Sequence, residues 1–581
     1  MDRPISIGAD RPDTSVNTQV ARPPYVIAGL FFGNPAALPA GSFFPRAEVL
    51  MAYPEAQVAV VGGGPVGLIL ACELAVHGVP VVVLERLPAI EWRPKAEGIT
   101  GRAIDIMDRR GLMIGVTDAV TAPPTAEMLA RIAEGEQRPD SLLPKEFPGA
   151  RHFASMFLLR PESPDLLVPQ QLLEEDLGRR AAELGVEVRR GHTVTGFTQD
   201  DDRVRLDVEG PGGPYRMEAE WLAGCDGGRS LIRKLSGIAF PGTDGVTTGY
   251  RAFAEIDDPE FHLPGWFRKD GGLLVYEEGP ARFITLEFDG PPANRDAAIT
   301  LEEFQESLRR LSGTKVTVTE VKKITRFTDN ARQAETYRSG RLLLVGDAAH
   351  VHSHWSGPGL RLGLGDAVNL GWKLAAVARG WCHEDLLDTY HSERHPIGAQ
   401  TLEIQRASIA LMRPGPHVDA LRRLLRELLL RDEANRQLTA LIDDLHISYD
   451  MGDPSLTGPL VGRYSPDLRL RHAAGGIQVA RPQRDDGTVR VAELQRTGRP
   501  LLLDLADDPE LRALAGPWAD RVDVVTAGCP EAPADALLIR PDGFVAWSTP
   551  ADHASLRAAL TRWFGPPGRP DRPSAAGGRN E

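Results

Sequence analysis

Cysteine is scarce in this chain. Four occur in 581 residues, Cys72, Cys225, Cys382 and Cys529. No two stand as a CxxC pair, which argues against a zinc ribbon and against dithiol redox chemistry. Buried, reduced thiols in a cytoplasmic protein are the expectation. Excess positive charge is missing as well. Lys and Arg number 66 against 80 Asp and Glu, a net charge of −14. A protein that tracks a nucleic-acid backbone needs the opposite imbalance. An apolar run of membrane-spanning quality is also lacking. The segment from Tyr25 to Phe44 is apolar but is broken by Asn34, Pro35 and Pro39, with no basic stretch before it. It reads as neither a spanning helix nor a secretory signal. No nucleic acid and no membrane are therefore expected as partners. What is present is an ordinary globular composition, 42% hydrophobic and 25% charged. The length suggests three or four domains at about 150 residues each.

Residues 1–55 are Pro-, Asp- and Thr-rich without a period, and are read as an N-terminal arm. The text QVAVVGGGPVGLILACELAVHGVPVVVLER at 57–86 then runs strand, glycine turn, helix, strand, a βαβ unit. A helix is expected over 174–189, paired strands at 203–208 and 215–222, and strand text over 248–289. A buried strand follows at 341–346 and a buried helix at 364–380. From 418 to 442 one amphipathic helix is expected, apolar at Val418, Leu421, Leu424, Leu425, Leu428 and Leu429, suited to packing or to a dimer contact. A small αβ domain occupies 499–564, with a Pro541-Asp542-Gly543 turn between two strands. The tail, 565–581, is Pro- and Gly-rich and is expected to be disordered.

Three stretches carry chemistry. Gly62-x-Gly64-x-x-Gly67 sits between a strand and a helix. The first glycine permits the tight turn, the second lets a pyrophosphate approach the backbone, and the third allows close helix–strand packing. Glu85 ends the next strand about twenty residues on, where a carboxylate accepts from ribose hydroxyls. Asp226-Gly227 follows a second strand, with Ser230 and Arg233 behind it, and Gly346-Asp347 follows a third.

In this order, these motifs resemble the single-component flavoprotein aromatic hydroxylases, the para-hydroxybenzoate and phenol hydroxylase family of FAD-dependent monooxygenases. The resemblance covers about 57 to 563. RFTDNARQAETYRSGRLLLVGDAAH at 326–350 and DAVNLGWKLAAVARG at 366–380 look most like the branch acting on polycyclic aromatic polyketides. That branch carries a C-terminal thioredoxin-like domain without redox cysteines, and 499–564 is similar to it. The resemblance implies an α/β plus α+β fold. A Rossmann-like FAD-binding domain over 56–410 would be interleaved with a substrate-binding sheet (about 150–165 and 238–330). A helical connector would follow at 411–465, and a thioredoxin-like domain at 466–564.

Site roles follow from the same resemblance. Gly62, Gly64 and Gly67, with Val66 backbone, would cradle the pyrophosphate, and Glu85 would hold the adenosine ribose with Arg86 beside it. Arg102 would lie near the pyrophosphate and flavin, Gln170 would contact the flavin, and Asp347 would bind the ribityl chain. Gly359 and Leu360 would face the flavin, and Asp226 would serve both FAD and the pyridine nucleotide. The implied cofactor is FAD, with NADPH or NADH as a transient co-substrate and O₂ as the oxidant. The implied reaction is hydroxylation of a polyketide-type phenol or quinone through a flavin C4a-hydroperoxide, in antibiotic or other secondary-metabolite biosynthesis. The protein would be a cytoplasmic monomer or homodimer. Baeyer–Villiger oxygenation or oxidative ring rearrangement is the alternative on this scaffold. A flavin-binding scaffold or assembly subunit without oxygenase activity is the alternative of another class.

The stretch HVHSHWSGPGLRLGLGD, 350–366, departs from the family loop. His354 stands at a proline position and is followed by Trp355; Ser356 replaces a glycine, Arg361 an asparagine, and Gly365 a common glutamine. His354, Trp355 and Arg361 are candidates to line the flavin and substrate; no catalytic residue is assigned. Arg361 either adds positive charge near the flavin or points to solvent. Alternating His350, His352 and His354 could suit a metal, but no carboxylate completes a set. His391 and His395 fit a helix-surface pair, and no metal is expected. Tyr250, Phe253, Trp266, Phe267, Tyr276 and Phe283 lie on strand text and suit either a ring-binding wall or a sheet core.

Overall fold

The computed structural model describes residues 56–91, 95–96, 99, 101–112, 170–257, 265–269, 271–277, 282–295, 297–353, 358–442, 444–453, 458–472 and 487–568. The expected arm at 1–55 and the 150–165 segment lie outside these residues, as do His354, Trp355, Ser356 and the tail beyond 568.

The largest sheet is built around strand Ala56–Val61, whose text AQVAVV is buried at five of six positions. A strand apolar on both faces belongs in a sheet interior. It pairs in parallel with Val81–Glu85 on one side and with Gly213–Gly224 on the other. Glu187–Arg190 and Leu342–Leu344 extend the parallel sheet outward. The chain thus leaves the first strand in one direction and returns on its far side. Such a reversal opens a crevice at the carboxyl ends of the strands. Helix Pro65–Val76 lies against helix Pro358–Ala378. Gly371 permits the approach, since a Cβ there would run into the Glu73 side chain.

The helix expected over 174–189 ends early. It spans Gln170–Glu183, and Glu187–Arg190 is a strand. Gly185, at φ +77°, takes the left-handed conformation that stops a helix.

A second, five-stranded antiparallel sheet runs in the order Thr317–Phe327, Thr248–Asp257, Arg282–Glu287, Gly272–Glu277, Gly265–Lys269. Helix Leu301–Ser312 covers one face through Phe304, Leu308 and Leu311, against Tyr250 and Phe283. The other face sets Leu273, Val275, Ile284 and Phe327 against Ile409 and Met412 of the long helix Asp388–Met412.

The single helix expected over 418–442 is two, Pro416–Leu429 and Asp432–Ile442. Asp432 and Glu433 occupy the first turn of the second, where negative charge favours a fresh start. A six-stranded sheet closes the chain. Leu501–Asp504 lies parallel to Asp523–Gly528 and antiparallel to Ala536–Ile539. Trp518, Trp547 and Trp563 fill the core beneath it, which continues to Trp372 and Ala376 on the Pro358–Ala378 helix.

A buried ionic cluster crosses this contact. Arg540 donates to both oxygens of Glu393 at 2.7 Å and through Nε to Asp542 at 3.1 Å. Lys373 Nζ reaches Glu393 at 2.7 Å, and Asn369 donates to Glu393 at 2.6 Å and to Asp542 at 3.0 Å. Burial raises the Glu393 carboxyl, but Arg540 and Lys373 outweigh it and hold the group down at about 2. Burial pulls the Lys373 ammonium down to about 8 against the opposing pull of Glu393.

Candidate flavin site

The glycine turn sits at the carboxyl end of strand Ala56–Val61. Gly62 has φ +112°, and a Cβ there would run into the Cys225 carbonyl oxygen. Gly67 lies against the Gly62 carbonyl, closing the helix onto the strand. Above Gly64, by contrast, a Cβ would meet no protein atom within 4 Å. Helix Pro65–Val76 begins with proline, and neither a side-chain cap nor an acidic first-turn residue covers its N-terminus. Its first N–H groups are therefore left for an anion over an open surface. Sequence reasoning passed over Gly63. A Cβ there would lie 2.8 Å from Glu85 Cβ, and its N–H donates to Glu85 Oε2 at 2.6 Å. Leu87 N–H donates to Oε1 at 2.8 Å, so Glu85 is held at the strand end beside the turn. Arg86 is exposed next to it.

The other two motifs meet this turn. Cys225 N–H donates to the Val61 carbonyl at 2.8 Å, bringing Asp226 beside Gly62. Asp226 Oδ2 accepts from Leu231 and Ile232 N–H at 2.6 and 3.1 Å, while its buried Oδ1 has no partner. Arg233, a link the sequence did not reveal, bonds the Gly228 carbonyl at 3.0 Å and the Ala348 carbonyl at 2.7 Å. It thereby joins the Asp226 loop to the Gly346-Asp347 turn. Val66 wedges against Gly346 and Gly363: Cβ atoms at those positions would come within 3.1 and 2.7 Å of its methyls. Gly346 has φ +61°, and Asp347 is exposed at the turn's tip. Gly359 lies near Asp347, with a Cβ position 3.9 Å from Oδ1. Gly62, Gly64, Val66, Gly67, Glu85, Asp226, Asp347 and Gly359 thus converge.

The helix expected at 364–380 starts earlier than its text suggests, at Pro358, so Gly359 and Leu360 lie in its first turn. The solvent alternative for Arg361 is overturned. Its side chain is 3% exposed, with Nε on Asp444 Oδ2 at 2.8 Å and Nη2 on the Ile442 carbonyl. A partner reached by the fold took it inward. Arg102 pairs with Asp105 at 2.7 Å, and its guanidinium lies 3.8 Å from the centre of the Tyr464 ring. Arg102, Arg361, Arg394 and Tyr464 share the lining of one small cavity. Gln170 Nε2 donates to Glu174 at 2.7 Å, and its backbone N–H donates to the Ala96 carbonyl.

His350 and His352 have local partners. His350 Nε2 meets Asp366 Oδ2 at 2.7 Å. His352 Nδ1 meets the Ser353 carbonyl at 2.8 Å, and burial holds its ring below the ordinary histidine value. Among the candidate ring-binding aromatics, Tyr250, Tyr276 and Phe283 belong to the sheet–helix core, with Tyr276 and Phe283 stacked at 4.9 Å. Phe253 alternates to the opposite face and is half-buried. Trp266 and Phe267 lie on strand Gly265–Lys269.

An anion cradle at a helix N-terminus, a carboxylate held at the end of the next strand and two further turns around one crevice define a dinucleotide-binding enzyme of α/β class. The residues present fit FAD: the open surface over Gly64 admits a pyrophosphate that a side chain would block. Comparison with known proteins gives the same answer. Residues 55–405 match the family described as "FAD binding domain", and residues 458–567 match "Aromatic-ring hydroxylase, C-terminal". The chain is 38% identical over 542 residues to a 12-dehydrotetracycline 5-monooxygenase/anhydrotetracycline 6-monooxygenase of Streptomyces rimosus. That alignment covers 88% of this chain and 99% of the relative. It is 35% identical to a dialkyldecalin synthase of Streptomyces rugosporus, over 88% of this chain and 99% of that one. Among solved structures, an anhydrotetracycline hydroxylase from Streptomyces rimosus matches with TM-score 0.76 and 38% identity, over 89% of this chain and all of the other. The chain belongs to the FAD-dependent aromatic-ring hydroxylase family. It is a flavin-dependent monooxygenase, with FAD as cofactor and NAD(P)H and O₂ as co-substrates. Among the described residues no helix is long and apolar enough to cross a membrane.

Proposed function

We propose that the chain hydroxylates a polycyclic aromatic substrate, a polyketide-type phenol or quinone, in antibiotic biosynthesis. Bound FAD would take a hydride from NAD(P)H and activate O₂. The protein's own part is binding, orientation and exclusion of water. The N–H groups at Gly64, Val66 and Gly67 would hold the pyrophosphate, Gly62 would turn the chain tightly enough to complete the cradle, and Glu85 would hold the ribose, with Arg86 at the edge. Asp347 would hold the ribityl chain, and Gly359 and Leu360 would present first-turn N–H groups to the flavin ring. Arg102 and Gln170 would approach from the far side, and Asp226 would serve FAD and the pyridine nucleotide. His354 and Trp355 are the proposed wall on the substrate side. The open surface over Gly64 at an uncapped helix N-terminus supports the FAD part of this reading, and the 38% identity to the anhydrotetracycline monooxygenase supports the substrate class.

The domain plan is proposed alongside it: 56–410 for FAD and the inserted sheet, 411–465 as connector, and 466–564 as a thioredoxin-like module without redox cysteines. The mixed sheet around Leu501–Asp504 and the absence of any CxxC support the last. A cytoplasmic monomer or homodimer completes the proposal. A screen of polycyclic phenols and quinones tests it. A true substrate stimulates NADPH consumption with matched O₂ uptake and gains one oxygen in product mass. Ring connectivity of that product separates hydroxylation from Baeyer–Villiger insertion. FAD retained with no stimulation of NADPH consumption by any ring system would overturn the proposed substrate class.

A further inference from the structure

The two turns read as facing the flavin are held from behind by a single carboxylate. Asp366 is wholly buried and accepts three hydrogen bonds: from Gly346 N–H at 3.2 Å, His350 Nε2 at 2.7 Å and Arg394 Nε at 2.8 Å. Gly346 opens the turn that carries Asp347. The other end of Arg394 reaches the Leu362 carbonyl at 3.1 Å, just beyond Gly359 and Leu360, and the Tyr449 hydroxyl at 3.0 Å. Room for this guanidinium comes from Gly365, where a Cβ would lie 2.8 Å from Nη2. One turn earlier, Arg361 grips Asp444 and the Ile442 carbonyl. The departures from the family loop at 361 and 365 are therefore two parts of one arrangement, which ties the flavin-facing helix to segment 442–449. Tyr449 in turn stacks on Phe544, 4.0 Å between ring centres.

We propose that Asp366 is a positioning residue for the flavin: its carboxylate holds the Gly346–Asp347 turn and, through Arg394, the Gly359–Leu362 turn in one fixed relation, with Tyr449 as the anchor on the C-terminal side. This rests on the reading that Asp347, Gly359 and Leu360 contact FAD. Charge-assisted hydrogen bonds in a dry interior are short, directional and strong. A carboxylate saturated by three of them fixes its donors more tightly than loop packing does. Misplacement of a bound group by an ångström is enough to alter its chemistry.

The experiment uses apo-protein titrated with FAD, followed by flavin fluorescence, visible circular dichroism of the bound flavin and its reduction midpoint. Asp366→Asn cannot accept from all three donors; it raises the FAD Kd at least tenfold and changes the flavin dichroism and midpoint. Tyr449→Phe keeps the carboxylate and changes the dichroism in the same direction with a smaller loss of affinity. Asp504→Asn weakens the pairing of the buried Asp504 carboxylate, on a strand of the C-terminal sheet, with the partly exposed Arg512; it lowers stability and leaves the flavin signals unchanged. Wild-type Kd, dichroism and midpoint in Asp366→Asn and Tyr449→Phe overturn the proposal. If Asp366→Asn does not fold, unchanged dichroism in Tyr449→Phe overturns it alone. Asp347→Ala separates the two levels. If it too binds FAD normally, the assignment of the turn to the flavin falls, and this proposal with it. If Asp347→Ala alone weakens FAD, only the positioning role falls.

Discussion

Replacing Arg540 by Met removes the cation at the centre of the buried cluster while keeping much of the side chain's apolar length. In the native structure Arg540 is 0% exposed and serves Glu393 through both Nη atoms and Asp542 through Nε. Without it, Glu393 and Asp542 remain buried with one ammonium, Lys373, and the Asn369 amide between them. Stripping one partner from a buried ion pair costs about 3–5 kcal/mol, because the opposite charge is left uncompensated. Urea unfolding followed by tryptophan fluorescence reports the event locally. Trp563 and Trp372 lie 4.5 and 5.3 Å from the Arg540 guanidinium carbon. If uncompensated charge is the cause, Arg540→Met combined with Glu393→Gln loses less than the sum of the single losses, by about 0.5–3 kcal/mol. A loss under about 1 kcal/mol in Arg540→Met, or strict additivity in the double variant, would refute the reasoning.

The same cluster sets an acid limit. Glu393 sits at about 2 when folded, against 4.5 for the free carboxyl, so its contribution is full above 4.5 and fades as pH falls toward 2. Urea midpoints should drop across that window in the wild type and much less in Glu393→Gln. Gly64→Ala leaves the apo fold as stable as wild type because its Cβ meets open space, yet weakens FAD about 10- to 100-fold by fluorescence titration, since it stands where the pyrophosphate belongs. Gly67→Ala, pressed against the Gly62 carbonyl, lowers the stability of the apo fold itself. Arg361→Asn strands Asp444, whose side chain is 8% exposed; it costs about 1–3 kcal/mol and raises the fraction of NADPH oxidised without product, measured as peroxide release.

Local chemistry was legible in the sequence. The Gly62–Gly67 turn, Glu85 at the next strand end, and the Asp226 and Gly346 turns depend on backbone sterics and on spacing along single strands. Those are short-range constraints that a linear text records. Even there, Gly63 escaped notice, although the run of three glycines signals it and its reason is the Glu85 side chain lying across the turn. The break of the 174–189 helix was readable too, from Gly185. Pairings over long sequence distances left no such trace. Arg361 went inward because Asp444 waits 83 positions away, and Arg394 found Asp366 from 28 positions along a different helix. Tyr250 and Phe283 went to core rather than ligand because helix Leu301–Ser312 covers their face of the sheet. A residue's type states which bonds it is able to make. For buried charges, only the packing of distant segments selects the partner, because the cost of leaving such a group unpaired falls due only when the tertiary structure closes over it.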